Sequence, residues 1–277
     1  MKGVIKKISS DPLGLIGLCL VTLMVISALG APIFAPYDPI QLNIMERLQG
    51  PSVNHLLGTD QLGRDLFSRV LFGGQVALKV AFLTIGLALI VGIVLGLIAG
   101  YGPAWLDNSI MLLFDTIRSV PTIMLALAAV TVVGPSITTV IFVVAVSSIP
   151  NYGRIVRTQT LTLKSKDFVK AEKLMGASLI RILSIHLLPN ILGPLLILAS
   201  MDIPTVIALE AGLSFLGMGV KPPTPSCSIL NDGFTLIRNT PWPIIAGSIP
   251  LVLATLGFTF LGESLRDLLD PKLRKLL

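Results

Sequence analysis

Long apolar runs separated by short polar stretches set the character of this chain. A helix must carry about 20 apolar residues to cross a hydrocarbon core of ~30 Å. The pattern predicts such helices at 13–35 and 76–100. Between Ser119 and Gly153 no charged residue occurs. One helix of that length would measure on the order of 50 Å, too long for the core. Gly134 and Pro135 therefore predict a hairpin, with spans at 107–131 and 136–157. Runs at 191–215 and 243–261 complete six predicted spans. Pro194, Pro204 and Pro250 allow kinks inside them where neighbouring helices satisfy the freed backbone.

One stretch breaks the apolar pattern. Residues 164–190 are charged and amphipathic, with Phe168, Ala171, Met175, Leu179 and Ile182 at helical spacing along one face. Lys166, Lys170 and Lys173 take another face. Gly176 predicts a bend or a close backbone approach, and Pro189 a stop before the next span. This spacing suits a helix lying in the membrane interface and equally one docked on a partner protein.

Composition agrees with the membrane reading. Of 277 residues 53% are hydrophobic and 13% charged, and the mean hydropathy is +0.87. The formal net charge of +6 sits in loops without interleaved aromatics, which excludes a nucleic-acid surface. Fourteen Lys and Arg fall in 1–12, 154–190 and 263–277, against five in 36–75 and 218–241. The positive-inside rule then places both termini and the 154–190 loop in the cytoplasm, and six spans satisfy that parity. The chain divides into an N-terminal region with the first span and an external loop (1–72), a five-span body (73–265) and a cytoplasmic tail (266–277). The first span is read as retained, not as a cleaved signal.

The chemistry of catalysis is missing. There is no glycine-rich phosphate loop, so this chain is not expected to hydrolyse ATP itself; if ATP is used, a separate subunit must hydrolyse it. His55 and His186 are predicted on opposite sides of the membrane, and Cys19 and Cys227 make neither a disulfide framework nor a metal cluster. Neither an enzyme nor a bound cofactor or metal is expected. Ionisable residues within spans mark pathways or partners. Asp115 and Arg118, three apart, are expected to pair with each other. Asp202 and Glu210 differ by about 80° around a helix. One polar stripe can hold both, facing a lumen or another subunit, or each can be a satisfied buried acid.

Particular motifs add a resemblance. Lys170-Ala171-Glu172, then Gly176, then Leu188-Pro189, is similar to the Glu-Ala-Ala loop of ABC-importer permeases. The external run Gly58, Asp60, Gly63, Arg64 and Asp65 reads on its own as a hydrogen-bonded turn, with glycines at positive φ and aspartates capping. It also resembles the segment before the second span in the dipeptide, oligopeptide and nickel class. Asp115 with Pro121, Glu210 to Pro223 and Gly262 to Pro271 continue the match, while the family's Ser-Trp-Gly reads Ser226-Cys227-Ser228. The resemblance implies the type I importer permease fold, all-α with six spans. It implies that the loop 164–190 forms a short coupling helix docked on an ATPase, with Lys170, Ala171, Glu172, Gly176, Leu188 and Pro189 as coupling residues. It further implies a second homologous permease chain, two ATPases and an external binding protein in a bacterial inner membrane, serving short peptides, with nickel the alternative. The lack of clustered His, Cys or Met in the spans favours peptides over nickel. The rival reading is a stand-alone secondary transporter or channel coupled to an ion through Asp115, Asp202 or Glu210.

Overall fold

A computed structural model describes residues 11–217 and 228–269. Every regular element among them is helical. Helix α1 (Pro12–Leu29) opens on Asp11, whose carboxylate accepts from the amides of Leu13 and Gly14. A segment with short helical turns at Ala31–Phe34 and Ile44–Glu46 leads to α2 (Leu66–Tyr101). At 36 residues α2 would measure roughly 54 Å, so part of it stands outside the hydrocarbon core.

The third span departs from expectation. It is two helices, α3 (Ala104–Arg118) and α4 (Thr122–Val133), bent by 81°. Pro121 explains the break: its ring bars the α conformation from the preceding residue, and it has no amide to donate. Helix α4 ends at Gly134, and α5 (Ile137–Lys164) starts from a Ser136 cap that accepts from Thr139 N, as the hairpin reading requires. Helix α5 runs seven residues beyond the expected end at 157.

Residues 164–190 are not one helix. Helix α6 (Asp167–Leu174) ends in a Schellman turn: Ala177 N donates to Glu172 O at 3.0 Å and Gly176 N to Lys173 O at 3.1 Å. Gly176 carries φ +81°, the left-handed conformation that glycine adopts without a Cβ penalty. The chain then turns at Leu179–Arg181, widens to a π-helical turn over Ile182–Leu187 and continues as α7 (Leu188–Phe215). Pro189 is therefore no stop. It sits at the start of α7, where a missing amide is tolerated, and the wider turn before it relieves the ring. Helix α8 (Ile229–Thr235) and the last span α9 (Trp242–Leu269) follow.

The core centres on α2 against α5. Gly92, Gly96 and Gly100 form a row four residues apart, lying on Tyr152, Gly153, Val156 and Thr160. A Cβ on Gly96 would stand 2.5 Å from Gly153 O, and one on Gly92 2.7 Å from Tyr152 Cβ. Small residues at this spacing let backbones approach within a membrane, where dispersion replaces the hydrophobic effect. Phe114 of α3 fills the space over Gly153, and Leu187 of the π turn is buried in the same core with Ile191 and Leu195 of α7. Helix α1 packs on α9 in a similar way, with Gly17 against Leu261 N and Gly257 against Leu20.

Candidate functional site

Two polar assemblies and one exposed apolar loop carry what this scaffold positions. The first assembly is the run from Gly58 to Asp65. Gly58 and Gly63 both have positive φ, +82° and +72°. They lie under the backbone of 43–50, which is laced to 58–65 through Asn43 N to Leu62 O and Leu48 N to Asp60 O. Asp60 Oδ1 accepts from Leu62 N at 2.8 Å and Arg64 N at 3.0 Å. Asp65 caps α2 through Ser68 N at 2.7 Å. These bonds make the run the hydrogen-bonded turn that its residues describe.

The turn is also the base of a charge network. Arg64 Nε and Arg69 Nη1 converge on Asp60 Oδ2 at 2.6 and 2.5 Å. Arg69 reaches on to Asp232 Oδ2 of α8 at 3.3 Å and to Ser228 Oγ at 3.0 Å. His55, 4% exposed, lies between Asp65 Oδ1 at 2.9 Å and Glu46 Oε2 at 3.4 Å, beside the Tyr37 ring. Burial of so many charges is costly unless each is paired, and here carboxylates and guanidinium groups alternate. The network ties the turn to α8, which precedes α9. Arg69, Asp232 and His55 belong to it although the sequence reading did not place them there. Lys221, Pro222, Pro223, Ser226 and Cys227 lie outside the described residues.

The second assembly joins α3 to α5. Asp107 takes Arg157 through both carboxylate oxygens, Arg154 bonds Asp115, and Arg118 bonds Asn151. Asp115 and Arg118 therefore do not pair with each other. Antiparallel α5 brings a guanidinium to Asp115 and a carboxamide to Arg118. On α7, Asp202 accepts from Tyr152 Oη at 2.7 Å and is half-buried. Glu210 is 3% exposed and accepts from Ser214 Oγ at 2.8 Å. Glu210 thus faces the protein interior, not an open lumen.

The loop of α6 is the third feature. Val169 is buried, and Glu172 Oε1 lies 3.5 Å from His186 Nε2, which holds α6 against the π turn. Asp167 near its start and Lys173 near its end complement the helix dipole. Phe168, Ala171, Leu174, Met175 and Leu179 remain exposed, while Ile182 of the expected face turns into the core. Lys170 is exposed beside Asp167, Leu188 is half-buried and Pro189 is exposed. Gly176 has only open space where a side chain would go.

Up to six apolar spans, a broken third one and an apolar loop on a helical turn define a multi-pass membrane protein. Residues 92–275 match the family described as binding-protein-dependent transport system inner membrane component, and the chain belongs to it. Residues 1–51 match the N-terminal TM domain of oligopeptide transport permease C. Among curated relatives, the dipeptide transport system permease protein DppC of Alkalihalophilus pseudofirmus is 37% identical, over 97% of this chain and 89% of its own. The oligopeptide transport system permease protein OppC of Bacillus subtilis is 33% identical over 99% and 90%. An inward-facing structure of the MetNI methionine ABC transporter shares the fold, with a TM-score of 0.59 at 19% identity, covering 73% of this chain and 97% of that one. The protein is an inner-membrane permease component of a binding-protein-dependent transport system, which sets aside the stand-alone transporter.

Proposed function

We propose that this chain forms half of the transmembrane pathway for short peptides and couples it to ATP hydrolysis on separate subunits. The carrying observation is full-length similarity to permeases named for dipeptides and oligopeptides, at 37% and 33% identity. A second, homologous permease chain supplies the other half, two ATPases bind below and an external binding protein delivers substrate. This chain binds no ATP and performs no catalysis. The exposed apolar residues of α6 and of the turn after it support the ATPase contact: Phe168, Leu174, Met175 and Leu179 need a cover, and a groove on a partner provides one. Lys170, Ala171, Glu172, Gly176, Leu188 and Pro189 are the coupling residues. Closure of the ATPases would push α6 and, through the π turn, α7, rocking the spans between inward- and outward-facing states.

Deleting the chain should abolish uptake of short peptides while free amino-acid uptake persists. Growth of a peptide-requiring strain measured beside nickel accumulation decides between the two substrate classes. Normal growth on peptides with nickel accumulation lost would assign the chain to nickel.

A further inference from the structure

Helix α5 carries a polar row that packing leaves open. At about 100° per residue, Ser147, Ser148, Asn151, Arg154, Thr158 and Thr162 all fall within about 60° of Asn151 around the axis. The buried set Ile149, Tyr152, Gly153, Val156 and Thr160 occupies the other side, against the glycine row of α2. The polar row stays partly or fully exposed. Asp115, Arg118 and Ser119 of α3 border it and are exposed too. Even the ion pair within it is open, with the Asp115 side chain 67% and the Arg154 side chain 42% exposed.

Depth decides what can cover this row. Ser147 to Arg154 stand roughly 15 to 26 Å along α5 from its outer start, inside a core of ~30 Å. Lipid is excluded, because exposed charges at that depth are costly in hydrocarbon. A dry contact with a second permease chain is disfavoured as well, because interface cores are depleted of charge. Water is the cover that suits four turns of hydroxyl, amide and ion pair. One charge is left over. Among the described residues Arg118 has a carboxamide partner, Asn151, and no carboxylate.

We propose that this row lines the water-filled passage and that Arg118, held by Asn151, meets the anionic end of a passing substrate. The proposal rests on reading the chain as half of a transport pathway. A guanidinium with free donors suits the terminal carboxylate of a peptide.

The test uses the complete transporter with both native cysteines replaced; reagent is applied in inside-out membrane vesicles, and peptide uptake is read after the reacted transporter is reconstituted into proteoliposomes. Ser147→Cys, Thr158→Cys and Thr162→Cys are expected to react with charged methanethiosulfonate reagents and to lose peptide uptake on reaction. Phe142→Cys, half a turn around α5 and 61% exposed, should stay unreactive in lipid. Stripe cysteines that are inert, or that cross-link directly to the second permease chain, would overturn the passage. For Arg118 the readout is the ratio of anionic to cationic reagent rates at Ser147→Cys. Arg118→Gln should lower that ratio roughly fivefold, the effect of one unit charge several ångströms away in water. An unchanged ratio would refute its role. Failure here is separable from failure of the peptide reading: inert cysteines in a transporter that still takes up peptides sink only the passage.

Discussion

Gly63 has two reasons to be glycine. Its φ of +72° is left-handed, and a Cβ there would lie 1.7 Å from Asn43 O, a backbone atom that cannot swing away. The conformation alone costs about 1–2 kcal/mol for other residues, and the contact adds to it. Gly63→Ala should therefore lower the thermal stability of the assembled transporter and expose the 43–50 segment to protease. Unchanged melting and digestion would refute the packing. At the same scale Arg69→Met leaves the Asp232 carboxylate without its main partner, and removing one member of a buried pair costs about 3–5 kcal/mol. The double variant Arg69→Met with Asp232→Asn should lose less stability than the two single losses added, because the two share one interaction. Simple additivity would separate the network into independent parts. The turn itself was readable, since Gly58, Gly63, Asp60 and Asp65 each have a local use. Arg69 with Asp232 was not, because 163 positions separate the pair and only the fold brings them together. Asp115 misled for the opposite reason. A neighbour three residues away looked sufficient, while packing of α5 supplied Arg154.

At the scale of elements the coupling loop depends on its end as much as on its face. Gly176→Val forces a β-branched residue into the left-handed cap, at a cost of about 1–2 kcal/mol. It should impair transport while insertion into the membrane remains normal. Ala171→Glu should act alike by placing an unpaired charge in the docking face. Normal transport by both variants, with the ATPases still bound, would make α6 an interfacial helix instead. Span positions were legible because an apolar run must match a bilayer. The 81° break of the third span was signalled by Pro121, yet an uncharged run concealed it. The row of Gly92, Gly96 and Gly100 was equally visible as small residues four apart, and hydropathy, which counts apolarity and not volume, passed over it.

For the whole molecule the orientation follows from charge. Both termini and α6 are expected in the cytoplasm, with the 43–69 turn outside. A cysteine at Asn54 should react with an impermeant reagent added to intact cells, and one at Ser178 only after the membrane is opened. Labelling of position 178 from outside would reverse the arrangement.

The glycine row on α2 also limits how such a protein can be rearranged. Helices α2 and α5 touch backbone to backbone, so neither has a flexible side chain that could absorb a mismatch. They pack as a matched pair. A chimera that takes α2 alone from a relative should fail to assemble wherever the donor's spacing of small residues differs. Exchanging α2 and α5 together should restore assembly, because the unit of modularity in this bundle is the pair and not the span.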